Sequence, residues 1–153
     1  MAVKVYKPTT PGRRKASVQD FSDITKTKPE KSLVYRLNRH SGRNNTGQIT
    51  VRHRGGGAKR LYRMVDFKRK NYDVVGEVVA VEYDPNRSPR ILLVRYTDGA
   101  KAYILGYAGA KVGDSVVSSK KAVEPIVGTR MPLEHIPIGM FVYNVEIKVD
   151  AGG

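Results

Sequence analysis

Short runs rich in β-branched residues, separated by turns, fill residues 74–148 and constrain the fold more than any other feature. The run VVGEVVAVEYD ends at the turn DPNRSPR, and the runs ILLVRYT and KAYILGY flank DGA, a strong hairpin signal. DSVVSS predicts a short strand. GMFVYNVEIKV predicts a further strand, with Phe141, Tyr143, Val145 and Ile147 on one face and Asn144, Glu146 and Lys148 on the other. We therefore expect five or more strands joined by turns rather than helices.

This strand pattern predicts an all-β fold. Spacings of roughly 10 to 20 residues between strands are typical of a small antiparallel barrel or sandwich. Closure into a barrel also removes exposed strand edges. The size of the segment and its strand count favour a small antiparallel barrel of the oligonucleotide-binding (OB) type.

Positive charge is concentrated in the first half of the chain. The net charge is +14, and residues 1–70 carry 19 Lys and Arg against 4 Asp and Glu, whereas residues 71–153 carry 9 against 10. Such segregation is typical of a nucleic-acid-binding arm and, less often, of a membrane-surface segment. The chain has no cysteine, which excludes disulfides and thiolate metal sites. Because no apolar run approaches the roughly 20 residues that span a bilayer, and no secretory signal is evident, we expect a soluble, intracellular protein without a membrane partner.

Residues 1–47 are predicted to form an extended basic N-terminal arm, because prolines and basic residues are frequent there and apolar residues are few. TKPEKSLVYRLNRH has the capping-box spacing of a helix, but its short length and Pro29 argue against one. SGRNNTG predicts a turn. Residues 48–150 are assigned to a basic β-ribbon followed by the barrel. In the ribbon, QITVRHR and LYRMVDFK are expected to pair, with GGGAK at the tip.

Residues 55–57 are three consecutive glycines between basic pairs, in VRHRGGGAKR. A nucleotide P-loop is disfavoured, because it requires G-x-x-x-x-G-K-[ST] between a strand and a helix. A plain hairpin turn explains the glycines, which adopt positive φ readily, but not the crowding of Arg52, Arg54 and Lys59 around them. A tip that contacts the phosphates of a nucleic acid explains both features, since bare backbone approaches phosphates closely and arginines bind them bidentately. We favour this phosphate-contacting tip over the bare turn.

No group of side chains in the sequence indicates catalysis. His40, His53 and His135 lack metal-ligand spacing, and no Ser-His-Asp or Cys-His arrangement is recognisable. Tyr62 lies inside the predicted ribbon and is a candidate for base stacking, with packing as an equal alternative. We therefore predict a protein that is not an enzyme and has no catalytic site, metal site, cofactor or small-molecule substrate.

Several long segments resemble signature segments of the universal large-subunit ribosomal protein 2 family, of bacterial or organellar type. They are YKPTTPGRR, GRNNTGQITVRHRGGGAKRLYR, DFKR, VEYDPNRS and PLEHIPIGMFVYNVE, in this order along residues 6–146. The resemblance implies an extended N-terminal arm and an OB-type barrel, followed in the family by a second, SH3-like barrel. The sequence stops at VDAGG, where that second barrel would begin, so we expect the SH3-like domain to be absent from this chain.

The resemblance also implies a function and its contact residues. It predicts a structural constituent of the large ribosomal subunit that binds and stabilises large-subunit ribosomal RNA beside other ribosomal proteins, supporting subunit assembly and translation in the cytoplasm or an organelle. A free OB-type RNA-binding assembly or regulatory factor is the alternative, and an enzyme acting on nucleotides is a weaker one. The predicted RNA-binding residues are Lys7, Arg13, Arg14, Arg43, Arg52, His53, Arg54, Gly55, Gly56, Gly57, Lys59, Arg60, Arg63, Lys68 and Arg69.

Overall fold

The computed structural model describes residues 3–38 and 40–153. Within these ranges the chain forms eight short β-strands and three single-turn 3-10 helices, and it contains no α-helix. The strands are β1 (Val3–Val5), β2 (Ser17–Gln19), β3 (Val34–Arg36), β4 (Leu61–Arg63), β5 (Gly76–Glu82), β6 (Ile91–Tyr96), β7 (Lys101–Leu105) and β8 (Ser115–Val116). The 3-10 helices are Pro11–Arg13, Lys31–Leu33 and Leu133–His135.

Four strands form the main antiparallel sheet, in the order β7-β6-β5-β8. β6 and β7 make the predicted hairpin, with Leu93 opposite Tyr103, and Gly99 has a φ of +84° in the turn between them. The register of β5 with β6 shifts between Val78 and Ala80, which marks a β-bulge. The sheet curls into a half-barrel. The predicted all-β, OB-type fold class is thereby confirmed.

Apolar residues bury both faces of this sheet. One face carries the cluster Val78, Val81, Leu92, Val94, Tyr96, Ile104, Tyr107 and Val116. The other carries Ala80, Ile91, Leu93 and Tyr103, against which Leu33 and Val65 pack from outside the sheet. Because both faces are covered, the first four residues of β6 are all buried and apolar instead of alternating with polar ones.

Two small antiparallel ribbons accompany the sheet: β1 pairs with β2, and β3 pairs with β4. The segment between the ribbons is fastened to the sheet by specific hydrogen bonds. The Arg90 guanidinium donates to both carboxylate oxygens of Asp23 at 3.0 Å. The Thr25 hydroxyl accepts a 2.9 Å hydrogen bond from the Val81 N–H, beside the bulge of β5. The division of the chain at residue 47 stays a prediction.

The predicted pairing within the basic ribbon is wrong. β4 pairs with β3, whereas QITVRHR forms no strand and contributes one isolated bridge. The N–H groups of Thr50 and Val51 both donate to the Gly42 carbonyl, at 2.8 and 3.1 Å, so they are not available to a second strand. Immediately afterwards His53 has a φ of +60°, which turns the chain out of an extended path. A basic two-stranded ribbon exists, but residues 37–60 are the loop that connects its strands.

The segment GMFVYNVEIKV is also not a strand, so among the described residues the main sheet has four strands instead of five or more. Asn144 has a φ of +52°, which interrupts extended backbone in the middle of the run. The segment is held by side chains: the Tyr143 hydroxyl donates to the Leu105 carbonyl at 3.3 Å, and Arg130 pairs with Glu146. DSVVSS does contain the predicted short strand, and TKPEKSLVYRLNRH contains a single 3-10 turn followed by β3 rather than a helix.

Candidate nucleic-acid interface

Residues 37–60, between β3 and β4, form one exposed loop that we call the basic loop. It leaves and re-enters the same ribbon, at the point where Arg36 and Leu61 lie opposite each other. All of its described residues are exposed except Gly42. The stretch 31–65, which contains the loop, has nine Lys and Arg and no Asp or Glu. The positive charge of the loop is therefore not compensated within its own segment.

A compact turn forms the base of the loop, where SGRNNTG predicted one. The Asn44 side-chain oxygen accepts hydrogen bonds from the Thr46 N–H at 3.1 Å and the Gln48 N–H at 2.8 Å. Gly42 has a φ of +68°, and a Cβ at this position would overlap the Val51 carbonyl oxygen. Glycine is therefore required there by both conformation and space. The sequence predicted the turn but not the closure of the loop base between Gly42 and Val51, because that contact depends on tertiary geometry.

The glycine run adopts a backbone path that other residues rarely follow. The φ values of Gly55, Gly56 and Gly57 are +138°, +71° and +86°. All three glycines are exposed, and a Cβ on Gly56 would meet nothing within 4 Å. Gly56 is thus needed for its conformation and not to fit against the rest of the protein. The three glycines leave a stretch of backbone that a large ligand can approach.

Four of the predicted contact cations, Arg52, Arg54, Lys59 and Arg60, flank this glycine run and are exposed. His53 lies among them and is exposed as well. Across the residues that the structure describes, ion pairs of Lys and Arg are made by Lys26, Arg87, Arg90, Arg95, Lys101, Lys120 and Arg130. None of these cations belongs to the basic loop. The described cations of the loop therefore project positive charge that no described carboxylate neutralises.

The other exposed candidates lie at separate places in the fold. The connection between β1 and β2 carries Lys7, Arg13 and Arg14. Arg43 lies at the base of the basic loop, where its guanidinium donates to the Gly47 carbonyl at 3.2 Å. Lys68 follows β4 and is exposed. The structure thus gathers Arg43 and the cations of residues 52–60 into one loop, whereas the arm cations belong to a different ribbon.

Two predicted contact residues are buried. Arg63 is 8% exposed and donates to the Leu61 carbonyl at 3.0 Å. Arg69 is also 8% exposed and donates to the Gly128 carbonyl at 3.3 Å, and its burial lowers the pKa of the guanidinium. In this conformation both side chains are buried and hydrogen-bond to backbone carbonyls of the protein. Contact of either with RNA stays a prediction.

Metal-binding clusters and membrane-spanning helices are both absent among residues 3–38 and 40–153. Within the described ranges, no group of three or more His, Cys, Asp or Glu side chains is arranged to hold a metal ion. No helix in residues 3–38 and 40–153 is long and apolar enough to cross a membrane. Tyr62, the candidate for base stacking, is half-buried and lies beside Tyr35.

A protein-family model matches residues 30–118, more than half of the chain. The family is described as ribosomal proteins L2, RNA-binding N-terminal domain. The matched residues contain β3 to β8, and so include the basic loop and the whole of the main sheet. The signature segments found in the sequence and this match agree. The chain therefore belongs to the ribosomal protein L2 family, and residues 30–118 correspond to the family's RNA-binding N-terminal domain.

Proposed function

We propose that this chain is a structural constituent of the large ribosomal subunit that binds and stabilises large-subunit ribosomal RNA. It acts beside other ribosomal proteins, on cytoplasmic or organellar ribosomes, and supports subunit assembly and translation. Membership of the L2 family supports the RNA-binding role. The family is one of structural RNA-binding proteins, which supports a role without catalysis.

The observation that carries the proposal is the set of unpaired cations around open glycine backbone in the basic loop. Like charges held close together repel one another, and they destabilise a protein surface that has no counter-charge. An RNA backbone relieves this repulsion because it supplies a phosphate for each cation. The ribbon supports the proposal in a second way, because Leu33 and Val65, which lie just outside β3 and β4, pack against the main sheet and so fix the base from which the loop projects.

The basic loop binds RNA by neutralising phosphates. Arg52, Arg54 and Arg60 can each contact a phosphate bidentately, whereas Lys59 acts as a point charge. At Gly56 the absence of a side chain lets the backbone N–H approach a phosphate oxygen. Because the grooves of A-form RNA give side chains little access to base edges, the loop recognises mainly the shape of folded RNA.

The test compares two triple variants that remove the same charge. In one, Arg52, Arg54 and Arg60 are replaced by Ala; in the other, Lys111, Lys121 and Lys148, which are exposed and make no ion pair in the described chain, are replaced by Ala. Affinity for a large-subunit rRNA fragment is measured at several salt concentrations. The loop variant should lose affinity. The slope of its plot of log K against log salt should become less negative by roughly 2 to 3, at about 0.7 to 0.9 per contact. The control variant should retain most of the slope, and equal slopes in the two variants would contradict the proposal.

Association with ribosomes distinguishes the proposal from a free RNA-binding factor. The tagged chain, expressed in cells, should co-sediment with large-subunit particles and remain with them at moderate salt. A chain that stays at the top of the gradient, while still binding RNA in solution, would favour the assembly or regulatory factor.

A further inference from the structure

We propose that the outer face of the Tyr35 ring is a stacking site for an unpaired RNA base. This inference rests on the proposed RNA-binding function and adds a second mode of contact to it. The basic loop contacts phosphates, whereas Tyr35 stacks on an unpaired base. The site lies on the β3–β4 ribbon, at the foot of the basic loop.

Tyr35 and Tyr62 form a cross-strand pair on this ribbon. They are directly opposite each other in the register of β3 and β4. Their ring centroids are 4.9 Å apart, with an angle of 44° between the ring planes. Opposite residues of an antiparallel pair point to the same face, so the two rings lie side by side on one surface of the ribbon.

Tyr62 also contacts the turn between β5 and β6. The Arg87 guanidinium lies 5.5 Å from the centroid of the Tyr62 ring. Arg87 is itself held by a 2.8 Å ion pair with Asp84, whose side chain is fully buried. The Asn86 side-chain amide donates to the Leu61 carbonyl at 2.9 Å and ties the same turn to β4. The ring against which Tyr35 packs is thus held in place by the protein.

Much of the Tyr35 side chain is open to solvent. Tyr35 is 45% exposed, and among the described residues Tyr62 is the one aromatic ring that it contacts. No hydrogen bond of the Tyr35 hydroxyl is present among the described residues. A planar base can stack on the exposed part of the Tyr35 ring, and this ring loses little conformational freedom because its contact with Tyr62 already positions it.

The charge around the site selects RNA as the occupant. Arg36 follows Tyr35 directly and Arg60 precedes β4, and both side chains are exposed. No Asp or Glu occurs anywhere in residues 31–65. A nucleotide whose base stacks on Tyr35 places its phosphates beside these cations. An apolar protein surface would place no negative charge there, so RNA is the better match. Stacking on an aromatic ring tolerates any base, so the site should bind unpaired nucleotides with little sequence preference.

The first test measures RNA affinity of Tyr35→Ala, Tyr35→Leu and Tyr35→Phe. The probes are a 12-nucleotide single-stranded oligoadenylate and a blunt RNA duplex of the same length. Tyr35→Ala and Tyr35→Leu should weaken binding to the single strand by about fivefold or more, whereas Tyr35→Phe keeps the ring and should bind nearly as the parent does. The salt slope should not change, because no phosphate contact is removed. Duplex affinity should change little in all three variants.

A fluorescence test covers the case in which a truncated side chain disturbs the ribbon. The chain has no tryptophan, so Tyr35→Trp introduces a single fluorophore into the site and keeps an aromatic ring there. The oligoadenylate should quench this tryptophan. A tryptophan introduced by Tyr83→Trp, at an exposed position whose ring contacts Phe21, should be quenched much less. Equal quenching at the two positions, or single-strand affinity that is the same in Tyr35→Ala and the parent, would overturn the stacking site alone. A parent chain that binds neither probe at any salt concentration would overturn the proposed function as well.

Discussion

The main sheet and the basic loop differ in how their charges are neutralised. After residue 70 the chain has nine Lys and Arg, of which six are ion-paired: Arg87, Arg90, Arg95, Lys101, Lys120 and Arg130. The described cations of the basic loop make no ion pair at all. Most cations of the second half of the chain are therefore neutralised within the protein, whereas the described cations of the loop are not.

The two regions also differ in what fixes their shape. The sheet is held by strand pairing and by apolar residues buried on both faces. The loop is held by glycines at positive φ and by a turn centred on Asn44, with almost no burial. Stability and binding should therefore separate by region, so that substitutions in the sheet change folding and substitutions in the loop change affinity.

The largest expected effect tests this separation in the core. Leu92 is fully buried and lies opposite Ile104 in the main sheet. Leu92→Ala should lower the free energy of unfolding by about 2 to 5 kcal/mol, because it removes buried apolar atoms and leaves a cavity. Ile49→Ala, in the exposed loop, should cost less than about 0.5 kcal/mol. Urea titrations of both variants provide the measurement, and similar costs would mean that the loop is part of the folded core.

The sequence predicted the sheet well because its signals are local. The hairpin around Gly99, the β5 run and the short strand at Ser115–Val116 each follow from composition and turn residues within about ten positions. The prediction of a strand in residues 139–149 was wrong because alternation alone does not reveal the positive φ of Asn144. The predicted ribbon paired the wrong strand because β3 is 24 residues away from β4, beyond the reach of a hairpin signal.

The candidate site was predicted unevenly for the same reason. Charge density is visible in the sequence, so Arg52, Arg54 and Lys59 could be predicted as contacts without the structure. Burial is not visible, so Arg63 was grouped with them although its side chain is buried. Tyr35, which we propose as a stacking site, was not predicted, because its pairing with Tyr62 across the strands is supplied only by the fold.

The next effect concerns the loop backbone. Gly56→Val places a β-branched residue at a φ of +71°, at a cost of about 1 to 2 kcal/mol to the local conformation. RNA affinity should fall several-fold, while the melting temperature of the sheet stays nearly constant. Gly109→Val is the matched control, since Gly109 has a φ of +77° and equally open surroundings but lies in the β7–β8 connection. The control should lose stability and keep RNA affinity; loss of affinity in both variants would argue against a specific role for the glycine run.

A smaller effect depends on pH and belongs to the sheet. The Glu82 side chain is buried, accepts a 2.7 Å hydrogen bond from the Tyr103 hydroxyl, and has its pKa raised by burial. A carboxyl with a raised pKa binds a proton more readily when folded than when unfolded, so its cost to stability decreases as the pH falls towards its ordinary pKa. The free energy of unfolding of Glu82→Gln should therefore exceed that of the parent by the largest amount at neutral pH. This difference should be smaller at pH 5. Chemical denaturation at the two pH values measures this, and a difference that grows on acidification would contradict the assignment.

The smallest expected effect compares a paired cation with an unpaired one. Arg95 pairs with Glu77 at 3.1 Å across β5 and β6, and both side chains are more than half exposed. Exposed ion pairs contribute about 0.2 to 1 kcal/mol, so Arg95→Ala should lower the free energy of unfolding slightly, and the difference should vanish in about 1 M salt, where the screening length is near 3 Å. Its RNA affinity and salt slope should stay unchanged, because Glu77 already neutralises the guanidinium. Arg54→Ala removes the same formal charge from the loop and should do the opposite: it leaves stability unaltered and reduces the salt slope by about 0.7 to 0.9. If the two variants shift the slope equally, net charge alone governs binding, and the division of labour between sheet and loop does not hold.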